Sequence, residues 1–217
     1  MSLRGPRREA ASGRARALVA LLHGYGADGA DLIGLADPLA AVLPDAVFVA
    51  PDAPERCRVN PMGRQWFPIP WIDGSSDAER DAGFVRSAAL LDDWLSDAMA
   101  AEGLDERRTA LVGFSQGTMM SLHAGLRRPA ALAGIVGFSG RYVAAGEAPS
   151  ATPPVLLVHG DRDEVIPVAA LAEAREALAA LGVPVRWHVS RGVGHGIAPD
   201  GLELAARFLS ERLRPDP

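Results

Sequence analysis

Thr109-Ala110-Leu111-Val112-Gly113-Phe114-Ser115-Gln116-Gly117 decides how this chain reads. Its first four residues are an apolar run expected as a strand, and Thr118-Met119-Met120-Ser121-Leu122-His123-Ala124 behind it reads as a helix. Between them stands G-x-S-x-G, a tight strand-to-helix turn that thrusts the serine hydroxyl out of the fold. The backbone there is strained, and strand and helix crowd each other, which is why Gly113 and Gly117 flank it. The helix start also turns backbone N–H groups and a positive dipole end toward any negative charge forming beside Ser115. Alone the pattern is weak, because its residues are common. Here strand, turn and helix stand in order, and two partner motifs follow.

The 217 residues are 48% hydrophobic, enough to bury one core, so residues 1–217 are expected as a single domain. Residues 1–16 read as a tail, or through residues 3–8 as an edge strand. A net charge of -5 and a pI near 5.5 argue against nucleic acid as a partner. The single cysteine, Cys57, can form no internal disulfide, which fits a cytoplasmic location. No glycine-framed turn holds it, so it is a poor catalytic thiol. Residues 18–22 are too short for a signal-peptide core. The longest uncharged apolar stretch, between Arg128 and Arg141, is shorter than the roughly 20 residues of a membrane helix. Neither a targeting segment nor stable membrane insertion is expected. All 22 basic residues are arginine, a bias associated with GC-rich bacterial coding.

Apolar strand-like runs alternate with helical patterns. Strands are expected at 17–22, 46–50, 109–113, 133–138, 155–159 and 185–189. Helices are expected at 31–42, 77–102, 116–126, 168–181 and 199–213. Continuously apolar strands alternating with helices imply a mostly parallel sheet covered on both faces, an α/β fold. In such sheets ligands sit at the carboxyl ends of the strands, and every candidate residue falls just after one. Residues 51–76 form the long irregular stretch, with five prolines and with Met62, Trp66, Phe67 and Trp71. Its aromatics either wall a pocket or patch the edge of the core.

A serine hydroxyl needs a base to become a nucleophile, and a histidine, with an ordinary pKa of about 6.5, suits the task. Of five histidines, His195 is the candidate, in the flexible Gly192-Val193-Gly194-His195-Gly196 after the last strand. His188 lies inside that strand and is expected to pack structurally. His123 sits about two turns along the helix after Ser115 and points elsewhere, and His159 supports the turn that follows it. A carboxylate must orient the imidazole. Of the three acids in Asp161-Arg162-Asp163-Glu164, Asp163 is chosen, because the loop must travel beyond its strand to reach His195. Asp161 is expected to shape the turn, and Glu164 to be solvated or paired with Arg162.

An oxyanion hole needs two preset N–H donors. One is that of Gln116, following the serine; the other, in Leu22-His23-Gly24-Tyr25-Gly26, is assigned to Tyr25. Each contributes about 3 kcal/mol to the transition state. Gly24, Gly26 and Gly29 also fit a dinucleotide loop, but no suitable acidic residue ends the next strand, where Pro51 intervenes.

These residues resemble the phospholipase/carboxylesterase family of α/β-hydrolases, which includes acyl-protein thioesterases. The carriers are Leu22-His23-Gly24-Tyr25-Gly26-Ala27-Asp28, Gln65-Trp66-Phe67, Gly113-Phe114-Ser115-Gln116-Gly117, His159-Gly160-Asp161-Arg162-Asp163 and Gly194-His195-Gly196. The order Ser115, Asp163, His195 is that of α/β-hydrolases. The resemblance spans residues 18–213. It implies Ser115 as nucleophile, Asp163 as orienting acid, His195 as base, and Tyr25 and Gln116 as oxyanion donors. It also implies no separate cap domain and often a homodimer. Thr118 stands where relatives often carry a second glycine, and Ala30 where bacterial ones often carry asparagine.

The expectation is a serine carboxylesterase acting on short- to medium-chain esters through an acyl-enzyme, with no cofactor or metal. Leu32, Met62, Trp66, Phe67, Val165 and Ile166 are the expected substrate-binding residues. An acyl-protein thioesterase or lysophospholipase is the alternative, since thioesters and oxyesters share transition-state geometry. A non-catalytic binder on the same scaffold is disfavoured, because the serine, acid, histidine and glycines are all present.

Overall fold

The computed structural model describes residues 3–145 and 148–214. In chain order it runs β1 (Arg7–Arg8), β2 (Ala17–Leu22), α1 (Gly29–Leu32), a 3₁₀ turn (Ile33–Leu35), α2 (Ala36–Ala40) and β3 (Ala46–Val49). Next come β4 (Glu55–Arg56), β5 (Arg64–Gln65), α3 (Pro70–Asp73), α4 (Asp77–Glu102), β6 (Thr109–Phe114) and α5 (Gln116–Gly125). The chain ends through β7 (Gly134–Phe138), β8 (Val155–Gly160), α6 (Ala169–Ala180), β9 (Val185–Ser190) and α7 (Pro199–Arg212).

Seven strands form one sheet in the order β1-β3-β2-β6-β7-β8-β9. All pairings are parallel except β1 on β3, where Arg7 and Arg8 lie antiparallel to Val49 and Phe48. The central strands β2, β6, β7 and β8 are almost wholly buried because both faces are covered, with side chains alternating between them, whereas the edge strands β1 and β9 carry exposed and charged residues. From β2, Val19 and Leu21 face a cluster with Phe48, Val112, Phe138, Leu39, Phe208 and Leu209, beneath α2 and α7. Leu18 and Ala20 face the opposite cluster with Leu111, Ile135, Leu95, Leu122 and Leu178, beneath α4, α5 and α6. A third cluster joins Leu22 to Trp66, Phe67, Phe84, Leu91 and Met120, seating the stretch before α4 against α4 and α5.

Helix α4 starts on a capping box, with Ser76 and Glu79 bonding each other's backbone N–H, and stops at Gly103 in the left-handed region. Its buried Leu91, Leu95 and Met99 recur at helical spacing, each stabilising by about 2 kcal/mol.

Two sequence expectations need correction. The helix expected over 31–42 starts earlier, where Asp28 caps Gly29–Leu32, and it is broken by a 3₁₀ turn before Ala36–Ala40. A continuous helix would drive the Pro38 ring into the Gly34 carbonyl. The stretch 51–76 is not bare loop: it holds the β4–β5 hairpin and the short α3, which has Pro70 at its first turn and Gly74 at φ 70° behind it.

Parallel alignment of β2, β6, β8 and β9 puts their carboxyl ends on one edge of the sheet. From that edge rise the 23–28 loop, Ser115, the loop carrying Asp163 and the loop carrying His195.

Candidate active site

Ser115 sits between β6 and α5 at φ 54° and ψ -113°, a conformation non-glycine residues rarely adopt. Its N–H donates to the Phe138 carbonyl at 2.9 Å, and its carbonyl accepts from the Thr118 N–H at 3.0 Å, so both sides of the turn are fixed. The flanking glycines are needed for space. A Cβ on Gly117 would lie 1.8 Å from the Leu22 carbonyl oxygen, and one on Gly113 would lie 2.3 Å from that of Gly117. Thr118 fits here because its hydroxyl is lodged between the Gly113 and Phe138 carbonyls, at 2.9 and 2.8 Å.

Asp163 and His195 are brought together. Nδ1 of His195 lies 2.8 Å from Oδ2 of Asp163, and the imidazole packs on Phe114, the residue before the serine, with centroids 4.9 Å apart. The carboxylate accepts at Nδ1, which leaves Nε2 as the basic nitrogen. Oδ1 of Asp163 accepts from the Val165 and Ile166 N–H groups, both at 2.9 Å. Burial alone would raise this carboxyl. The bonds from His195, Ile166 and Val165 outweigh that and hold it below the usual range, so it stays ionised. Asp161 points to the backbone instead, accepting from the Gly192 N–H at 2.6 Å and tying down the base of the histidine loop.

The 23–28 loop lies against the serine: a Cβ on Gly24 would stand 3.3 Å from that of Ser115. Gln116 is the first residue of α5, so its N–H has no partner within the helix. His23, which sequence reasoning placed in this motif without a role of its own, is fully buried. Its Nε2 accepts from the Ala53 N–H at 3.0 Å, which puts the ring proton on Nδ1, 2.7 Å from the Gly24 carbonyl. Burial lowers its pKa and keeps it neutral. Gly24 O and the Tyr25 N–H share one planar trans peptide, so His23 also orients the Tyr25 N–H. His159, expected to support the turn after its strand, does so: its Nε2 lies 2.8 Å from the Ile166 carbonyl and also 3.2 Å from Oδ2 of Asp163. A histidine followed by glycine at the end of an apolar strand was the available signal for His23.

The expected substrate residues divide. Leu32 is core, packed under α1 against the sheet. Trp66 is also core: it is fully buried, and its indole N–H donates to the His23 carbonyl at 2.9 Å. Phe67 and Ile166 are buried beside the site, Phe67 edge-on to Phe84 at 5.2 Å. Met62 and Val165 stand in solvent, 86% and 60% exposed. Both Leu32 and Trp66 were drawn to the pocket by sequence position, but their apolar rings and branches satisfy the core first.

The other histidines are elsewhere. His123 packs edge-on to Phe84 at 4.8 Å, and burial, then the Arg127 charge, lower its pKa to about 4. His188 is not packed inside but pairs with Asp200 at 2.7 Å on the surface of β9. Among the described residues no group of three or more His, Cys, Asp or Glu side chains is arranged to hold a metal ion. No described helix is long and apolar enough to cross a membrane.

The sheet order and the strained serine at the end of β6 place the chain among the α/β-hydrolases. Residues 5–213 match the Phospholipase/Carboxylesterase family model, and the chain belongs to that family of hydrolases. It is 31% identical to esterase YpfH of Escherichia coli (strain K12) over 196 residues, 90% of this chain and 82% of the relative. It is 30% identical to acyl-protein thioesterase 1 of Neurospora crassa over 186 residues, 79% and 76% of the two chains. The crystal structure of esterase PE8 superposes with a TM-score of 0.92 at 46% identity, covering 98% of this chain and all of the other.

Proposed function

We propose that this hydrolase is a serine carboxylesterase working through an acyl-enzyme. The observation that carries the reading is the 2.8 Å Asp163–His195 pair seated against the strained Ser115 turn. In the proposed reaction Nε2 of His195 takes the Ser115 proton, and Oγ attacks the ester carbonyl. The Tyr25 and Gln116 N–H groups receive the resulting oxyanion. His195 gives its proton to the departing alkoxide, and the alcohol leaves. Water, deprotonated by the same nitrogen, then attacks the acyl-serine; the acid departs and Ser115 recovers its proton. Ionised Asp163 stabilises the imidazolium formed in each half. No step calls on a metal or cofactor.

Val165, whose N–H is held by Asp163 and whose side chain stands in solvent, favours an open site, suited to short- and medium-chain acyl groups over long chains that need a covered channel. A second reading, acyl-protein thioesterase activity, is supported by the 30% identical relative of that name. Hydrolysis of p-nitrophenyl esters from acetate to palmitate, with matched acyl thioesters and Ser115→Ala alongside, tests both. The proposal expects oxyester turnover highest at short to medium chains and abolished in the variant. Preference for thioesters or palmitate would favour the second reading.

A further inference from the structure

We propose that the segment 53–73 sets the geometry of the oxyanion hole, with the side chains of Gln116 and Tyr25 acting as its positioning residues; this rests on the serine-esterase reading above. The backbone N–H groups of these two residues are the assigned oxyanion donors, and both side chains reach back to the same stretch of chain. The buried Gln116 amide is used at both ends: Oε1 accepts from the Trp66 N–H at 3.1 Å, and Nε2 donates to the Phe67 carbonyl at 2.8 Å. The Tyr25 hydroxyl donates to Oδ2 of Asp73 at 2.9 Å. Asp73 is itself held by the Ile69 and Ser75 N–H groups, both at 2.9 Å.

The backbone between these anchors is joined as well. Gly26 N–H donates to the Arg64 carbonyl at 2.8 Å, and Arg64 N–H donates to the Ala27 carbonyl at 2.7 Å. Asn60 Nδ2 donates to the Gly26 carbonyl at 2.8 Å. The Ala53 N–H sets the tautomer of His23, whose Nδ1 proton holds the Gly24–Tyr25 peptide. Both halves of the hole are thus fastened to one segment, and that segment also carries exposed Met62, Trp71 and Ile72. An acyl or alcohol group pressing on it bears on donor alignment, so its binding energy is expressed in kcat rather than in KM. Donor alignment matters steeply, since complete loss of one oxyanion donor lowers kcat about 10²–10³-fold.

The test compares the full-length wild type, Tyr25→Phe, Gln116→Leu and Ser115→Ala on p-nitrophenyl butyrate, with inhibition by a trifluoromethyl ketone and a thermal melt for each. Tyr25→Phe keeps the ring and removes one hydrogen bond; it is expected to lower kcat about tenfold with KM within twofold. Gln116→Leu is expected to lower kcat about 100-fold. In each variant the ketone, an oxyanion mimic, should weaken by the same factor as kcat/KM. Should Gln116→Leu fail to fold, Tyr25→Phe decides alone. Ser115-dependent activity with kcat unchanged, or a loss carried entirely by KM, overturns this proposal and leaves the esterase reading intact. An inactive wild type, or turnover that survives Ser115→Ala, overturns both.

Discussion

Replacing Asp163 by asparagine removes a charge and almost no volume, and its consequence follows from four contacts. Oδ1 accepts two backbone N–H groups, from Val165 and Ile166, and Oδ2 faces Nδ1 of His195. His159 Nε2 approaches Oδ2 at 3.2 Å. An asparagine that keeps its oxygen on the two backbone donors must turn its NH₂ toward His195. The imidazole then moves its proton to Nε2, where it can no longer act as base. The opposite rotamer restores the oxygen to His195 but sets an NH₂ against the Val165 and the buried Ile166 N–H donors, an unsatisfied arrangement costing about 1–3 kcal/mol. Other hydrolases with this arrangement lose about 10⁴-fold in kcat from the wrong tautomer, equivalent to about 5 kcal/mol of barrier. The same loss is expected here, with KM little changed. Asp161→Asn is the control. Its oxygen can still accept from the Gly192 N–H, so kcat should fall less than about tenfold, the loss of charge assistance alone. Steady-state kinetics on p-nitrophenyl butyrate with melts of both variants decide the matter. A larger loss from Asp161→Asn than from Asp163→Asn refutes the assignment of the acid.

Gly117→Ala sets a methyl 1.8 Å from the Leu22 carbonyl oxygen, so β2 and α5 must separate. A destabilisation of about 1–3 kcal/mol in urea is expected, together with loss of activity; a wild-type melt would contradict the packing argument. Asp73 yields a stability prediction. Burial alone would raise it, but bonds from Ser75, the Ile69 N–H and the Tyr25 hydroxyl bring it from 3.8 down to about 2. A depressed carboxyl stabilises the fold above its unfolded value, and the stabilisation is lost as pH falls from about 4 to about 2. Tm should drop across that window, and less steeply in Asp73→Asn; identical slopes would remove Asp73 from the account.

The centre of the sheet was legible because its strands are buried on both faces, and Ala17–Leu22 shows it as an unbroken apolar run. The 23–28 loop, Ser115 and Asp163 were legible because each follows such a strand, and His195 because its glycine-rich loop follows the last strand. What escaped was whatever depends on direction. Trp66 and Trp71 lie five residues apart in one aromatic-rich stretch, yet Trp66 is fully buried and Trp71 is 76% exposed. Periodicity is missing from that stretch, so nothing in the sequence distinguishes the inward ring from the outward one. The break in the 31–42 helix was written in Gly34 and Pro38, but the apolar spacing around them outweighed it. Gln116 was legible as a backbone donor. Its side-chain role needed the partner segment, 50 positions away in sequence at Trp66, to be placed in space.

The central claim is that Ser115 is activated by His195 and Asp163, and covalent labelling tests it most directly. The wild type and Ser115→Ala would each be treated with a fluorophosphonate, then measured by intact mass and peptide mapping. One adduct per chain, on Ser115, absent from the variant and greatly slowed in Asp163→Asn, is the expected result. No adduct on a folded wild type, or an adduct that persists in Ser115→Ala, would contradict it.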